Sequence, residues 1–211
     1  MNTDKYLVFD LETTGLPVKH YDGYTRRYAP YTDNPSYDTS RIVQIAWVVI
    51  TIDGEILDDG NFTIKRDGFD IPLVASNIHG ITNERSDAEG VDIINALIAF
   101  ETSLDMCETL VAHNIQFDYN ILLNHAYRYS CDGLIAKLQG KRLFCTMEAS
   151  VDLSASRDGK YLSLGKLYRH YFNEDITEPH RAENDVDACA ECFLQMMIVT
   201  LSHNPVSSTG L

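Results

Sequence analysis

The most informative segment of the sequence is Val8-Phe9-Asp10-Leu11-Glu12-Thr13-Thr14-Gly15-Leu16, which places two acids at the end of an apolar, β-rich run that begins at Lys5. Residues two apart on a strand point to the same face, so Asp10 and Glu12 present two carboxylates side by side. Such carboxylates repel each other and are costly to bury. A cation removes that difficulty, and oxygen-only ligands at short spacing suit Mg²⁺ or Mn²⁺.

Two other interpretations of this segment stand beside a metal site. One is a pair of solvated acids at the end of a strand. The other is the acidic strand of a P-loop ATPase, but the sequence contains no G-x-x-x-x-G-K-[ST] motif. Its nearest run, residues 159–166, has one residue too many and continues with Leu167. A metal site therefore needs support from other acids in the sequence.

The pattern of apolar residues predicts an α/β fold. Runs of β-branched and aromatic residues predict strands at residues 5–10, 41–51 and 109–112. A further strand at 61–66 follows the turn signal Asp58-Asp59-Gly60, which predicts an antiparallel pair with the strand before it. Apolar residues at helical spacing predict helices at residues 92–104, 116–129, 162–172 and 182–201. Strands first and alternating helices later indicate a mixed β-sheet flanked by α-helices.

Two segments lie outside this plan. Residues 17–40 are rich in Tyr, Pro, Asp, Asn and Thr without a clear period, which predicts a long loop inserted between the first two strands. Residues 202–211 have the composition of a flexible C-terminal tail. We therefore expect a single domain over residues 1–201, with no internal repeat.

Composition limits the class of protein. With 211 residues, 45% hydrophobic and 23% charged, the chain can bury the core of one globular domain. No run approaches the roughly 20 apolar residues of a membrane span, so we expect a cytoplasmic protein with no membrane partner. The 5 cysteines are odd in number and lack the spacing of a disulfide framework. The net charge of −14 argues against non-specific binding to duplex DNA, but less against an enzyme that grips a few terminal nucleotides through cations held by carboxylates.

Two further segments carry acids beside histidine or asparagine. In Leu110-Val111-Ala112-His113-Asn114-Ile115-Gln116-Phe117-Asp118, an apolar strand ends in a polar turn and Asp118 falls near a helix start. In His180-Arg181-Ala182-Glu183-Asn184-Asp185, a histidine and an acid stand at the start of the last helix. Taken separately, Asp118 and Asp185 are explained as well by helix capping, and His180 as a loop histidine.

Together, the three segments resemble the three exonuclease motifs of the DnaQ-like superfamily. A histidine five residues before the last aspartate is typical of the DEDDh branch. Ile78-His79-Gly80-Ile81-Thr82 is similar to a segment of the proofreading exonuclease subunits of bacterial DNA polymerase III. The resemblance spans about Tyr6 to Phe193 and implies a ribonuclease H-like mixed sheet flanked by helices.

The resemblance also implies an activity. It implies a metal-dependent 3′-to-5′ exonuclease that releases nucleoside 5′-monophosphates from DNA 3′ ends, with His180 as the general base. Two Mg²⁺ or Mn²⁺ ions would be held by Asp10, Glu12, Asp118 and Asp185. In this family Asp10 lies between the metals, Glu12 and Asp185 bind the tighter ion, and Asp118 acts through bound water. Substrate contacts are implied for Thr13, Thr14, Leu16, His79, Asn114 and Phe117, with ordinary core packing an equal alternative for Leu16 and Phe117.

The substrate and partners leave alternatives open. An RNA 3′ exonuclease or oligoribonuclease-like enzyme differs from a DNA enzyme by a contact to the 2′-hydroxyl, which no motif reports. The segment around His79 favours the 3′ end of single-stranded DNA, and with it proofreading beside a DNA polymerase. A catalytically silent nucleic-acid-binding subunit should have lost a metal ligand or the base, and this sequence retains all five residues.

The inserted residues 17–40 begin at the rim of the expected site. They carry five tyrosines, interleaved with Lys19, His20, Arg26 and Arg27 and offset by three aspartates. Tyrosine rings stack on unpaired bases and arginines pair with phosphates. One hypothesis is a flap that guides single-stranded substrate into the cleft, and the other is a surface loop packed by its own tyrosines or docking a protein partner.

Overall fold

A five-stranded mixed sheet forms the centre of the computed structural model, which describes residues 4–21, 23–153 and 160–203. The strands of these residues are β1 (Lys5–Thr13), β2 (Lys19–Tyr21), β3 (Arg26–Tyr28), β4 (Ile42–Thr51), β5 (Ile56–Thr63), β6 (Thr109–Ala112) and β7 (Arg142–Cys145). β2 and β3 pair with each other, and the other strands form the sheet in the order β5-β4-β1-β6-β7. β1 is therefore central, antiparallel to β4 and parallel to β6. This mixed arrangement confirms the expected ribonuclease H-like α/β sheet.

Helices cover both faces of the sheet. They are α1 (Asn34–Tyr37), α2 (Leu73–His79), α3 (Asn83–Glu89), α4 (Ile93–Leu104), α5 (Ile115–Arg128), α6 (Asp132–Gln139), α7 (Thr146–Ala149), α8 (Leu164–Phe172) and α9 (Ala182–His203), with a 3₁₀ turn at Val151–Leu153. The predicted helices at 92–104, 116–129, 162–172 and 182–201 are confirmed within two residues at each boundary. Among the described residues, no helix is both long enough and apolar enough to cross a membrane. The cytoplasmic location stays a prediction.

The alternation of side chains along β1 separates two cores. Leu7, Phe9 and Leu11 point to the face covered by α4, α5 and α6, where the Phe9 and Phe100 rings meet edge to face at 5.6 Å. Tyr6 and Val8 point to the opposite face and pack against α9, with the Tyr6 and Phe193 rings 4.8 Å apart. By the same period, Asp10 and Glu12 lie on the α9 side. The two acids of the first motif are thus aimed at the helix that carries the third motif.

The predicted turn at Asp58-Asp59-Gly60 is wrong, because these residues lie inside β5. The chain reverses earlier, at Gly54, whose φ of 84° suits glycine. Gly60 pairs with Trp47 across the strands, and a Cβ atom there would approach the indole Cζ2 to 2.2 Å. The glycine therefore makes room for the Trp47 ring within a strand rather than for a turn.

The inserted segment is more ordered than a loop. It contains the β2–β3 hairpin and α1, and its Tyr37 is fully buried with its hydroxyl donating to the carbonyl of Ala29 at 2.7 Å. The expected tail also begins later, because α9 continues through residues 202 and 203. Residues 204–211 lie outside the described part of the chain, so the prediction of a flexible tail stays a prediction.

Candidate active site

Three carboxylates converge at the end of the central strand. Asp10 and Glu12 come from β1 and Asp185 from the first turn of α9, and a potential ligand oxygen of each lies within 4.8 Å of the others. The meeting follows from the alternation of β1, which turns both strand acids towards α9. Asp10 and Glu12 therefore lie side by side as expected from the sequence, and Asp185 lies next to both of them.

The electrostatics of this cluster favour a cation. Burial raises the pKa of Asp10 well above its usual range, and the carboxylates of Asp118, Glu12 and Asp185 raise it further. Burial, followed by the charges of Asp185 and Glu183, raises the pKa of Glu12 to about 7. These shifts favour the protonated carboxyls, and a bound cation would favour the ionised forms instead. An all-oxygen donor set in this state fits a hard divalent cation.

Asp118 stands beside the three acids rather than among them. It is 2% exposed in the first turn of α5, and its pKa is raised well above the usual range by burial and by Glu12. Hydrogen bonds from its own amide and from the amide of Leu11 oppose this rise. Because the Leu11 amide belongs to β1, Asp118 connects two elements and is more than a helix cap. Its charge acts directly on Asp10.

Gln44 was not expected from the sequence. It pairs with Glu12 across β1 and β4 and is 4% exposed. Its Nε2 donates to the Glu183 carboxylate at 2.6 Å and to Asn61 at 2.8 Å, while its Oε1 accepts from the Ala182 amide at 3.3 Å. Gln44 thus fixes the start of α9, which carries Asp185. Only its pairing with Glu12 in the folded sheet reveals this role.

His180 lies at the mouth of the same site. It is exposed, its backbone has a left-handed φ of 66°, and its amide donates to Asp185 Oδ2 at 3.0 Å. A non-glycine residue in this conformation is uncommon and needs such support. His180, Asp10 and Asp185 border one cavity of about 850 Å³. The histidine and the acids therefore face a shared volume.

The second histidine of this cavity, His113, is held in the neutral form. Its Nε2 lies 3.1 Å from the carbonyl of Leu162 and its Nδ1 3.0 Å from the hydroxyl of Thr146. A carbonyl only accepts, so Nε2 carries the proton and Nδ1 accepts from the hydroxyl. Burial lowers the pKa of His113 to about 4, with the Leu162 bond opposing. Both nitrogens are engaged, so His113 supports the wall of the cavity.

The turn after β1 is fixed by its own side chains. Thr13 Oγ1 donates to the carbonyl of Gly15 at 2.8 Å, and Thr14 Oγ1 donates to the carbonyl of Thr39 and accepts from the Arg41 amide. Thr39 in turn donates to the carbonyl of Leu16 at 2.7 Å. The threonine hydroxyls therefore shape the turn. Leu16 is held 74% exposed at its tip, which excludes core packing for this residue.

The other expected substrate residues divide into two groups. Asn114 borders the cavity of the acids and a second cavity, which Phe117 and Leu16 also line. Asn114 has a left-handed φ of 70° and its side chain does not cap α5. His79 is instead buried, accepts from the Ile81 amide at 3.1 Å, and lies against the Thr13 backbone. It does not line either cavity, and its position supports Thr13 from behind.

The lining of the acid cavity also carries positive charge that was not expected from the sequence. Lys166 and Arg169 from α8 line the same cavity as Asp10 and Asp185. Arg169 is paired with Asp175, with Nε 2.8 Å from the carboxylate. Lys166 is exposed. Its only sequence signal was the glycine-lysine pair of the rejected P-loop run.

Comparison with known proteins gives the same architecture. The family model described as exonuclease (RNase T) matches residues 7–193. None of the curated proteins matches the chain by sequence. E. coli exonuclease I in complex with a dT13 oligonucleotide is similar with a TM-score of 0.69 and 18% identity, over 96% of this chain and 42% of that one. Exonuclease X in complex with 5′ overhanging duplex DNA is similar with a TM-score of 0.60 and 23% identity, over 92% of each chain.

A further similar structure is the zinc-bound form of the complex of E. coli exonuclease I with single-stranded DNA, with a TM-score of 0.70 and 17% identity. The chain spans less than half the length of exonuclease I but nearly all of exonuclease X. These structures share the fold, and the residues that the family model covers include all four acids and His180. The chain therefore belongs to the DnaQ-like 3′-to-5′ exonuclease family.

Proposed function

We propose that this protein is a divalent-metal-dependent 3′-to-5′ exonuclease that releases nucleoside 5′-monophosphates from DNA 3′ ends. The observation that carries the proposal is the convergence of Asp10, Glu12 and Asp185 in a cavity that also borders His180. Like charges that are partly withdrawn from solvent in this way are unfavourable without a bound cation. Clustered acids beside a histidine in one cavity supply the metal ligands and the base that a hydrolytic site requires.

The acids would hold two Mg²⁺ or Mn²⁺ ions, with Asp10, Glu12 and Asp185 as direct ligands and Asp118 beside Asp10. When bound, such ions supply an activated water and neutralise charge on the phosphate and on the leaving 3′ oxygen. Glu12 and Asp10 must lose their protons for this binding, because a protonated carboxyl is a poor ligand. Their raised pKa values therefore make metal affinity increase with pH.

His180 would act as the general base of the reaction. It removes a proton from the attacking water as the new bond to phosphorus forms and the bond to the 3′ oxygen breaks. The Asp185 carboxylate holds the His180 backbone through its amide, so the base and one metal-binding acid are positioned together. The products are a nucleoside 5′-monophosphate and a strand with a new 3′-hydroxyl.

Two observations support DNA as the substrate. The structures of E. coli exonuclease I and exonuclease X contain an oligonucleotide of thymidine and a duplex with a 5′ overhang, respectively. The sequence around His79 also resembles the proofreading subunits. An RNA substrate is the alternative. A polymerase partner and a proofreading role rest on that resemblance alone and stay predictions.

The test is a cleavage assay with matched single-stranded DNA and RNA, each labelled at the 5′ end, in Mg²⁺, Mn²⁺ or EDTA. We expect a ladder that shortens from the 3′ end in either metal, faster on DNA, and no cleavage in EDTA. Asp10→Asn serves as the inactive control. Cleavage that persists in excess EDTA, or equal cleavage by Asp10→Asn, would exclude the proposed site. Faster cleavage of RNA would reassign the substrate.

A further inference from the structure

The inserted hairpin presents one face to a second cavity. In the β2–β3 pair, Lys19 lies opposite Tyr28 and Tyr21 opposite Arg26, and side chains of opposed residues share a face. These four residues, the hairpin face, all line a cavity of about 870 Å³. His20 and Arg27 alternate with them along the strands and point to the other side. The hairpin therefore has two sides that each carry an arginine, and only the side with Arg26 and the two tyrosines faces the cavity.

The hairpin face is basic and aromatic in an acidic protein. The whole chain has a net charge of −14, yet none of the described residues that line this cavity is acidic. Lys19 Nζ lies 4.3 Å from the centre of the Tyr28 ring, and Tyr21 is 69% exposed. Positive charge beside an exposed ring matches a phosphate joined to an unpaired base. It does not match another acidic or apolar protein surface as closely.

This cavity adjoins the cavity of the acids at Asn114. Asn114 borders both, and the exposed Leu16 stands in the second cavity at the end of the turn that follows β1. The base of the hairpin is anchored, because the Val18 amide donates to the carbonyl of Ser36 at 2.8 Å and His20 Nε2 lies 3.3 Å from its hydroxyl. A strand that ends at the acids can therefore pass Asn114 and reach the hairpin face.

We propose that the hairpin face binds the single-stranded segment next to the terminal nucleotide, stacking a base on Tyr21 and pairing phosphates with Lys19 and Arg26. Stacking on a tyrosine requires an unpaired base, which selects a single strand over a duplex. This inference rests on the proposed exonuclease function. It adds a substrate-binding surface that lies outside the acid cluster.

The test uses the two faces of the hairpin as matched variants. Arg26→Ala and Arg27→Ala remove the same side chain from adjacent positions on opposite faces. Tyr21→Ala removes the ring, whereas Tyr21→Phe keeps the ring and removes only the hydroxyl that donates to the carbonyl of Gly23. Binding of a 3′-hydroxyl oligothymidylate labelled at its 5′ end is measured by fluorescence anisotropy in Ca²⁺ at several salt concentrations.

Arg26→Ala should weaken binding by about 5-fold and reduce the salt dependence by about 0.7 in the logarithmic slope, as expected for one lost phosphate contact on a single strand. Tyr21→Ala should weaken binding by roughly 5- to 100-fold. Tyr21→Phe and Arg27→Ala should stay within about 2-fold of wild type. The inference would be overturned if Arg26→Ala and Arg27→Ala lost the same binding affinity. It would also be overturned if Arg26→Ala, Arg27→Ala and Tyr21→Ala all bound as tightly as wild type.

Hydrolysis of a p-nitrophenyl ester of thymidine 5′-monophosphate separates this inference from the proposed function. The ester has no neighbouring nucleotides, so it reports the acids and His180 alone. If the wild-type protein hydrolyses neither the ester nor DNA, the proposed function fails. If wild type is active and the two faces of the hairpin behave alike, only the hairpin inference fails. A folded, active protein whose hairpin variants bind DNA normally would assign the hairpin to another partner.

Discussion

Without metal, Glu12 should make the fold less stable as the pH rises. Burial and the charges of Asp185 and Glu183 raise its pKa from 4.5 to about 7 in the folded state. The folded protein therefore binds this proton more tightly than the unfolded chain does. Stability from this group is complete below pH 4.5 and is lost as the pH rises through 7. The perturbation that isolates it is Glu12→Gln, which keeps the shape and removes the titration.

The magnitude follows from the two pKa values. Each unit of difference between the folded and unfolded pKa corresponds to about 1.36 kcal/mol, so ionising Glu12 costs the metal-free fold about 2 to 3 kcal/mol between pH 5 and pH 8. Other groups also titrate between pH 5 and pH 8, but wild type and Glu12→Gln have these groups in common. The charge of Glu12 also raises the pKa of Asp10, so Glu12→Gln makes the ionisation of Asp10 less costly. This effect increases the difference in stability between wild type and variant in the same direction.

The assay is urea unfolding of wild type and Glu12→Gln in EDTA at pH 5 and pH 8. The free energy of unfolding of wild type should fall by about 2 to 3 kcal/mol more than that of the variant. Adding Mn²⁺ at pH 8 should restore wild type more than the variant, because the ion binds the ionised acid. Parallel pH dependence in the two proteins would refute the claim that Glu12 is a strained member of a buried acid cluster.

Three substitutions test other parts of the site. His180→Ala should lower kcat on DNA by roughly 10² to 10⁴ with a smaller change in KM, and steady-state kinetics showing a near-wild-type kcat would remove His180 as the base. Asp10→Asn should abolish most turnover yet leave the metal-free protein at least as stable, since repulsion is relieved; a sharp fall in its urea midpoint would instead mark Asp10 as structural. Gln44→Leu should lower the free energy of unfolding by about 1 to 3 kcal/mol, because the Ala182 amide and the Glu183 carboxylate lose a buried partner, and it should weaken Mn²⁺ binding through α9. Unchanged Mn²⁺ affinity in a folded Gln44→Leu protein would limit Gln44 to a structural role.

Local patterns in the sequence predict the parts of the fold that depend on residues close together in the sequence. The period of two along β1 places Asp10 and Glu12 on one face, and helical spacing places α4, α5 and α9 within two residues of their observed bounds. Short elements such as β7 and α7 span four residues each, too few to show a period. Their formation depends on partners that are distant in the sequence.

Features that depend on contacts between strands could not be predicted. The segment Asp58-Asp59-Gly60 has the composition of a turn. Only the position of Gly60 opposite Trp47 explains why a glycine is needed there. Gln44 belongs to an apolar strand, and only the β1–β4 register places it beside Glu12. The hairpin in the inserted segment is three residues long on each side, below the length at which alternation is visible. The sequence motifs therefore predicted the acids and the histidine of the candidate site. The pairing of strands determines which other residues hold them in place.

The acids of β1 and α9, which are half-buried, are proposed to hold two divalent cations. Isothermal titration of Mn²⁺ into the metal-free protein at pH 7, in two buffers of different ionisation enthalpy, measures both stoichiometry and proton release. We predict two ions per chain for wild type, with protons released because Glu12 and Asp10 are partly protonated beforehand, and weaker binding of fewer ions by Asp10→Asn. Absence of Mn²⁺ binding at millimolar concentration, or binding without proton release that Asp10→Asn leaves unchanged, would contradict it.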